Sequence, residues 1–381
     1  MNRDAPARVR IAVQSLECEA IIGNGVLDEA GTYLRGIFSG RKKLFVITIA
    51  NVRRRWGKQL MRSLSSAELD ARMLEIPDGE NQKKLGTVEA LAEKLAGLRA
   101  DRGSAVIAFG GGVVGDIAGL LASVYMRGVD FVQIPTTVLA QVDAAIGGKT
   151  GANLRAGKNL VGTFHQPRAV LIDPTVLSTL PERQFRSGLY EVLKAGIIGN
   201  EGLVDFLESV HLKQLREDSA ELNWLISEAV RLKAEIVSKD EKESGPRRTL
   251  NFGHTVGHAL EAACGYRRLL HGEAVAWGMI AAADIAVAVG TLGRDAAERI
   301  TNAVLQIGPL PPINVGSATV FRFLGVDKKS RDGSLYFVLP RAIGQVEITN
   351  AVPIEAIEKA VQKVKRLSQT GARRSARHGR A

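Results

Sequence analysis

Three of the six histidines of this chain lie close together in the sequence, between positions 254 and 271. His254 and His258 in LNFGHTVGHALE are four residues apart and share a face if the segment is helical, and His271 follows in LLHGEAVAWGM. Neutral imidazole is a common metal ligand, and its titration near neutral pH also suits acid–base catalysis. A single histidine is most often a packed side chain, but this concentration favours a functional site.

A metal site is one use for these histidines, because catalytic zinc takes three nitrogen, oxygen or sulfur ligands and keeps one position open. Glu191 and His254, with either His271 or His258, would supply such a set, and the spacing alone favours the His254–His258 pair. The HTVGH segment is similar to the H-E-x-x-H helix of zinc proteases but lacks its glutamate, so we do not expect protease chemistry. Other polar residues near these positions are Lys194, Glu243, Arg247 and Asn251.

A glycine-rich segment, VIAFGGGVVGDIAG, has the pattern of a strand, a tight turn and a helix. Gly110, Gly112 and Gly115 match G-x-G-x-x-G, in which the backbone approaches a pyrophosphate and helix N–H groups point at it. The segment follows a later strand than the usual dinucleotide fingerprint does. We therefore expect a nucleotide site of variant topology, and a glycine turn with no ligand is the alternative.

The densest polar segment is PTTVLAQVDAAIGGKTGANLRAGKNLVGTFHQP. Lys149 and Lys158 each follow a glycine, and the segment shows no clear helical or strand period. Ammonium groups among amides and hydroxyls form a suitable clamp for phosphate or polyol. An ordinary surface loop explains less well why so few acidic residues accompany the lysines. The other polar members of this segment are Thr136, Thr137, Asp143, Asn153 and Asn159.

The composition is that of a globular protein, with 45% hydrophobic and 24% charged residues in a chain of 381, long enough for two domains. Cys18 and Cys264 give no disulfide framework and suit a reducing compartment. The segment MNRDAPARVR lacks the apolar centre of a signal peptide, and no long uncharged apolar run occurs. We therefore expect a cytoplasmic protein with no membrane span.

The net charge of +11 is partly local, because KVKRLSQTGARRSARHGRA contains many basic residues and no acidic one. We predict that residues 368–381 form a basic, disordered tail, since they are too poor in apolar side chains to pack on a core. The rest of the chain is mildly basic, which suits a small anionic substrate. A nucleic-acid partner for the tail is disfavoured.

Strand-like and helical segments alternate as far as about residue 172, and long helical periods follow. This order predicts an α/β fold, with an N-terminal Rossmann-like parallel-sheet domain and then a mostly α-helical domain, which contains the candidate metal ligands. A late pair of segments, LYFVLP and QVEIT, predicts a small hairpin. The predicted boundaries are 1–173 for the α/β domain, 174–367 for the helical domain and 368–381 for the tail; the resemblance described next makes the first the NAD-binding domain and the second the metal and substrate domain.

Several motifs together resemble the 3-dehydroquinate synthase family of the sugar-phosphate cyclase superfamily. They are GGGVVGDIAG, YMRGVDFVQIPTT, QVDAAIGGKTGAN, GKNLVGTFHQP, LNFGHTVGHALE and HGEAVAWGM, in family order from about residue 20 to 365. The resemblance implies NAD and a divalent metal, zinc or cobalt, as cofactors. It implies Glu191, His254 and His271 as the metal ligands, so His258 becomes a substrate-contacting, proton-handling residue, contrary to the preference from spacing.

The resemblance also implies the remaining site residues. The NAD contacts implied are Asp78, Gly79, Glu80, Asn81, Gln82, Lys83, Gly112, Val113, Val114, Gly115, Asp116, Thr136, Thr137, Lys149, Lys158, Val176, Leu177, Ser178 and Thr179. The substrate contacts implied are Arg127, Asp143, Lys149, Asn159, Lys194, Lys233, Arg247, His258 and one of Lys328 and Lys329. The catalytic residues implied are Lys149, Lys194, Glu243, Arg247, Asn251 and His258.

The reaction implied is that of the shikimate pathway of aromatic amino acid biosynthesis. A phosphorylated sugar acid, 3-deoxy-D-arabino-heptulosonate 7-phosphate, loses phosphate and closes to a carbocycle, and the borrowed hydride is returned, which makes the enzyme a carbon–oxygen lyase. A homodimer is expected. Ile49 and Ala50 depart from the pattern, because many relatives carry a polar or acidic group there for the adenosine ribose.

Two enzymatic alternatives remain. One is another sugar-phosphate cyclase, making an inosose or valiolone-type ring, although GGKTGAN with GKN is similar to the dehydroquinate form. The other is a metal-dependent polyol dehydrogenase of the same fold, which would release stoichiometric NADH.

Overall fold

The computed structural model describes residues 6–12, 17–38, 43–330 and 335–378. The chain divides into two compact units. The first contains Met1–Pro181 and Leu215–Lys242, and the second contains Glu182–Gln214 and Glu243–Ala381. Among the described residues, no helix is both long enough and apolar enough to cross a membrane.

The first unit is built on a seven-stranded sheet in the order β1-β2-β9-β6-β5-β3-β4. Its strands are β1 (Ala7–Ala12), β2 (Glu17–Ile22), β3 (Lys43–Ile49), β4 (Asp70–Ile76), β5 (Ala105–Gly110), β6 (Asp130–Pro135) and β9 (Ala169–Ile172). A separate hairpin is formed by β7 (Lys149–Leu154) and β8 (Gly157–Phe164). The helices of this unit are α1 (Ala30–Ile37), α2 (Ala50–Val52), α3 (Lys58–Ser66), α4 (Leu85–Gly97), α5 (Gly112–Val124) and α9 (Ser219–Lys239).

The sheet is parallel except where β1 pairs with β2, and the prediction of a Rossmann-like fold is confirmed. Strands β5 and β9 are buried along their whole length, as expected of strands covered on both faces. The chain passes from β3 outward to β4 and then returns to β5 on the other side of β3. The order therefore changes direction between β3 and β5. In doubly wound sheets, ligands bind at the carboxyl ends of the strands beside such a point.

The sequence predicted a domain boundary between residues 173 and 174. In the structure the first unit continues to Pro181 and also includes Leu215–Lys242. The turn Pro174–Thr179 stays with the sheet because Asp173 is buried and accepts a hydrogen bond from the Leu27 backbone N–H at 2.9 Å. Helix α9 also belongs to the first unit, since it packs on β1 and Ser238 Oγ accepts from the Ala12 N–H at 3.1 Å. A helical period in the sequence predicts a helix but does not specify the sheet or helix against which it packs.

The β7–β8 hairpin lies in the segment whose sequence showed no clear helical or strand period. Lys149 pairs with Phe164 and Thr150 with Thr163, and the two threonine hydroxyls lie 2.7 Å apart. The segment is rich in glycine, lysine and asparagine, which hide the alternation of apolar and polar residues by which a strand is usually recognised. Strand β2 was not predicted either.

The second unit is mostly helical. Its helices are α6 (Glu182–Gly199), α7 (Glu201–Ser209), α10 (His254–Ala263), α11 (His271–Ala288), α12 (Arg294–Gln306), α13 (Ser317–Ser330) and α14 (Ile354–His378). A short helix, α8 (Leu212–Glu217), lies where the chain passes back to the first unit. The predicted late hairpin is present as β10 (Phe337–Ala342) and β11 (Gln345–Thr349).

Glycines let α11 pack closely against α6 and α10. A Cβ on Gly272 would lie 1.8 Å from the Ser187 carbonyl oxygen in α6. A Cβ on Gly278 would lie 1.8 Å from the Gly253 carbonyl oxygen, just before α10. Backbone therefore touches backbone at both crossings. This close approach brings the start of α11 next to the start of α10 and the middle of α6.

Residues 368–378, which were predicted to belong to a disordered tail, are helical. Helix α14 continues to His378, and Ser368 is buried and accepts a hydrogen bond from the Ile313 N–H at 3.0 Å. Arginine and alanine are good helix formers, so a segment with no apolar face can still extend an existing helix. Residues 379–381 lie outside the described part of the chain.

We predict that Gly278→Ala lowers the free energy of unfolding by about 1–3 kcal/mol, because the new methyl group overlaps a backbone oxygen that has no room to move. Urea denaturation of the purified protein measures the change. Gly325→Ala in α13 is the matched control, since a Cβ there meets nothing within 4 Å. The control should be neutral or stabilising, by up to about 1 kcal/mol. Equal stabilities for the two variants would contradict the close packing of α11.

Candidate active site

Three side chains from different helices of the second unit form a compact group of possible metal ligands. Glu191 lies in α6, His254 begins α10 and His271 begins α11, and one ligand atom from each lies within 4.8 Å of the others. His271 Nε2 is 3.5 Å from Glu191 Oε1. Ligands placed about 2.1 Å from a tetrahedral ion lie about 3.4 Å apart, so this separation suits a divalent metal such as zinc.

The outer nitrogens of the two histidines are already engaged. His254 Nδ1 lies 3.1 Å from the Phe252 carbonyl oxygen, and His271 Nδ1 lies 3.3 Å from Glu261 Oε2. When Nδ1–H donates to such a partner, the lone pair of Nε2 is left for a metal, and the ring is held in orientation. The donor set therefore fits a metal ion in chemistry as well as in spacing.

The two oxygens of the Glu191 carboxylate have different neighbours, Lys194 on one side and His271 on the other. Its Oε2 lies 2.5 Å from Lys194 Nζ, and its Oε1 faces His271. Both Glu191 and Lys194 are buried. With one oxygen held by the ammonium group, Glu191 would bind a metal through the other, which leaves room for further ligands.

The two histidines differ in their pKa. Burial, together with the nearby Lys194 ammonium, lowers the pKa of His254 well below its usual value, so this ring is neutral as a metal ligand must be. Burial alone would lower the pKa of His271 as well, but hydrogen bonds and charges of Glu191 and Glu261 raise it to about 10. A metal would therefore displace a proton from His271 when it binds.

A second group shares His271 and adds His258 and Glu261. Neither of the two groups found in the described residues contains both His254 and His258, so the pairing that the spacing favoured is not formed. Their rings lie edge to face, with centroids 5.0 Å apart. His258 is exposed, whereas Glu261 is buried. This placement leaves His258 accessible beside the Glu191–His254–His271 group.

Some residues that support the site were not identified from the sequence. Arg183 forms a two-point ion pair with Glu273, at 2.6 Å from Nε to Oε1 and 2.8 Å from Nη2 to Oε2. Glu273 Oε2 also accepts from the Leu270 N–H at 2.7 Å, which anchors the start of α11 and with it His271. Glu261 lies one turn after His258 on α10, and that spacing was the available signal.

The predicted catalytic residues before α10 lie in and around the turn Pro246–Asn251. Asn251 Nδ2 donates to Glu243 Oε1 at 2.6 Å, and Arg247 is buried. Lys328 and Lys329 lie on α13, but their side chains are outside the described part of the structure.

The glycine segment of the first unit forms a sharp turn between β5 and α5. A Cβ on Gly110 would lie 2.5 Å from Val114 Cγ2, and one on Gly115 would lie 2.6 Å from Gln133 Oε1. At Gly110 the packing favours glycine, because Val114 Cβ also lies within 2.7 Å of that point, whereas at Gly115 the contact is with the end of the flexible Gln133 side chain. The first turn of α5 contains no acidic residue. The free N–H groups and the positive dipole end of such a helix suit an anionic phosphate.

Apart from Lys149 and Lys158 of the hairpin, the predicted NAD contacts fall on segments that follow parallel strands. Because the carboxyl ends of parallel strands lie on one edge of a sheet, these loops lie on that edge too. They are Asp78–Lys83 after β4, Gly112–Asp116 after β5, Thr136 and Thr137 after β6, and Val176–Thr179 after β9. Residues from different motifs are therefore gathered around the glycine turn.

A polar network joins these loops to the β7–β8 hairpin. Lys83 is buried, forms an ion pair with Asp116 and donates to Asn159 Oδ1 at 2.5 Å. Asn153 Nδ2 donates to Glu80 Oε1 at 2.8 Å, and its Oδ1 accepts from the Asn159 N–H at 2.9 Å. Asn153 therefore orients two predicted site residues.

The other predicted substrate residues of the first unit lie on several different elements. Lys233 of α9 donates to Asp143 Oδ1 at 2.6 Å, so two of them are already paired with each other. Lys158 Nζ lies 3.6 Å from Glu80 Oε1. Lys149 is exposed at the start of β7, and Arg127 lies in the turn after α5.

Solved structures of the same fold define the class of protein. The chain aligns with 2-epi-5-epi-valiolone synthase from Streptomyces hygroscopicus, solved with NAD⁺ and Zn²⁺ bound, at 32% identity and a TM-score of 0.83, over 93% of this chain and 98% of that one. It aligns with 2-deoxy-scyllo-inosose synthase complexed with carbaglucose-6-phosphate, NAD⁺ and Co²⁺ at 26% identity and a TM-score of 0.85, over 94% and 100%. The fold is that of the sugar-phosphate cyclases.

The family follows from the sequence comparisons. Residues 73–187 match the model of the 3-dehydroquinate synthase N-terminal domain, and residues 188–330 match that of the C-terminal domain. The 3-dehydroquinate synthase of Koribacter versatilis is 48% identical over 364 residues, which cover 96% of this chain and 100% of that protein. The chain belongs to the 3-dehydroquinate synthase family, and the prediction made from its motifs is confirmed.

We predict that His271→Ala loses the metal, whereas His258→Ala keeps it. His271 faces Glu191 through Nε2, while His258 is not part of the group that contains Glu191. Elemental analysis after dialysis against zinc should find about one ion per chain in the parent and in His258→Ala, and almost none in His271→Ala. The rate of His258→Ala should fall by about 10²–10⁴, the usual cost of removing an acid–base group.

Each variant serves as the control of the other, because both remove one imidazole from the same cluster. Circular dichroism of both should match the parent. A full metal complement in His271→Ala would exclude both groups, because His271 belongs to each of them. Loss of the metal in His258→Ala would instead favour the His258–Glu261–His271 group.

Proposed function

We propose that this chain converts 3-deoxy-D-arabino-heptulosonate 7-phosphate to 3-dehydroquinate and inorganic phosphate, using catalytic NAD and a divalent metal. The observation that carries the proposal is the Glu191–His254–His271 group, with Glu191 buried, in a chain that belongs to the 3-dehydroquinate synthase family. The identity to a dehydroquinate synthase, 48%, is well above the 32% and 26% to the two other cyclases, which supports the dehydroquinate reaction.

Both cofactors have residues suited to hold them. The glycine turn at Gly110–Gly115 would receive the pyrophosphate of NAD, and the loops after β4, β6 and β9 would surround the rest of the dinucleotide. Glu191, His254 and His271 would hold zinc or cobalt. When bound, the dinucleotide supplies a hydride acceptor and the metal supplies a Lewis acid.

The cationic side chains would bind the two anionic ends of the substrate. Arg247 is buried, so its guanidinium lies in a medium of low dielectric, where a paired hydrogen bond to carboxylate or phosphate is strong. Lys149 is exposed and can reach a ligand from the hairpin. Holding a flexible seven-carbon acid in one geometry is a large part of catalysis when elimination and ring closure follow each other on one molecule.

Two residues would handle charge and protons next to the metal group. Lys194 neutralises one oxygen of Glu191, which limits the negative charge that the ligand set presents to an anionic substrate. His258 is exposed beside His254, and we assign it the transfer or stabilisation of a proton on the substrate. Asn251, held by Glu243, would position a substrate hydroxyl.

We predict that phosphate release exceeds the amount of NAD⁺ added by many fold and that no stoichiometric NADH accumulates. Hydride borrowed and returned within one active site leaves no net redox change. The measurement follows inorganic phosphate and absorbance at the NADH band in parallel, with substoichiometric NAD⁺ and the heptulosonate phosphate as substrate.

The same assay after treatment with a chelator is the control, and readdition of zinc or cobalt should restore phosphate release. Turnover without phosphate that stops when NAD⁺ is exhausted would reject the cyclase reaction and favour the polyol dehydrogenase. Release of phosphate with a product other than 3-dehydroquinate would favour another cyclase.

A further inference from the structure

A charged cleft of about 650 Å³ opens at the carboxyl ends of β3 and β4 in the first unit. Two methionines and two small residues give it an apolar floor, while three cations and one acid supply its polar groups. Its lining residues are Ala50, Arg53, Arg54, Gly57, Lys58, Met61, Met73 and Glu75. The roles proposed above use none of them.

The cleft begins where the strand beside the glycine turn ends. Ile47 of β3 lies opposite Ala108 of β5, so the end of β3 at Ile49 is level with Gly110. In doubly wound nucleotide folds, an acidic residue at the end of the neighbouring strand accepts the ribose 2′-hydroxyl of NAD, and a nearby arginine instead accommodates the 2′-phosphate of NADP. This position holds Ile49 and Ala50, neither of which can accept a hydrogen bond through its side chain.

The cations of the cleft outnumber the acid. Arg53 Nη1 lies 2.5 Å from Glu75 Oε1, so this pair is neutral as a whole. Arg54 Nη2 donates to Asn51 Oδ1 at 3.1 Å, a neutral partner that orients the guanidinium and leaves its charge in place. Lys58 adds a second positive charge to the lining. Asn51 also accepts from Arg55, which fixes the amide in turn.

We propose that the dinucleotide site of this chain accepts a 2′-phosphorylated adenosine ribose and therefore binds NADP as well as NAD. The inference rests on the proposed function, because it needs the pyrophosphate at the glycine turn. A 2′-phosphate carries between one and two negative charges at neutral pH and offers three acceptor oxygens. Arg54 and Lys58 would bind it, and the apolar floor would receive the edge of the adenosine.

The experiment measures the dissociation constants of NAD⁺ and NADP⁺ by isothermal titration on the metal-loaded, full-length protein. We expect the two constants to agree within about tenfold, since the charge gained at Arg54 and Lys58 offsets the missing ribose acceptor. In Arg54→Gln the ratio of the NADP⁺ constant to the NAD⁺ constant should rise by about tenfold or more. Arg62→Gln, in the following helix α3 and outside the cleft lining, is the matched control and should leave the ratio unchanged.

Smaller probes distinguish a nucleotide subsite from a general anion site. Adenosine 2′,5′-bisphosphate should bind at least about tenfold more tightly than 5′-AMP, and Arg54→Gln should remove the difference. Inorganic phosphate that binds the cleft as tightly as the bisphosphate would overturn the inference, and so would an NADP⁺ constant more than about a hundredfold weaker than that of NAD⁺. Phosphate release driven by NAD⁺ together with such weak NADP⁺ binding would reject this inference alone. Binding of neither dinucleotide would reject the proposed function and this inference together.

Discussion

The buried carboxylate of Glu191 is the constraint on which the second unit depends. An ionised carboxylate removed from water is costly unless charges and hydrogen bonds compensate it. Lys194 approaches one oxygen at 2.5 Å, and the other faces His271 at 3.5 Å. A divalent cation at this point would complete the compensation, because it brings two positive charges to a site that already holds neutral His254.

Close packing of helices makes this arrangement possible. The three ligand candidates come from α6, α10 and α11, and their side chains are too short to meet unless the helices nearly touch. Gly272 and Gly278 permit that approach, since a methyl group at either position would overlap a carbonyl oxygen. The Arg183–Glu273 pair then holds the start of α11 in place. The two glycines and the Arg183–Glu273 pair are not ligand candidates themselves, but they determine whether the three candidate side chains come together.

The first unit offers a different kind of site, in which donors suited to an anionic ligand come from the backbone. Backbone N–H groups at the start of α5 provide donors without added side chains, and the parallel strand order places successive loops on one edge. The Lys83–Asp116–Asn159 contacts join this edge to the β7–β8 hairpin, so the dinucleotide loops and the lysine-bearing hairpin form one polar network. Ile49 and Ala50 lie at the end of β3, beside the glycine turn, and bring no acidic group to this edge.

The sequence by itself determined the family and the alternation of strands and helices in the first unit, and it named Glu191, His254 and His271, which the structure brings together. These features are encoded by contiguous motifs and by local period, so one chain is enough to recognise them. The β7–β8 hairpin was missed because its glycines and polar residues show no alternation. The unit boundary and the return of α9 to the sheet were missed because helical period does not specify a packing partner. Only the tertiary structure shows that His271 Nε2 lies 3.5 Å from Glu191 Oε1. The helical spacing of His254 and His258 is local, whereas the position of His271 depends on where α11 crosses α10 and α6.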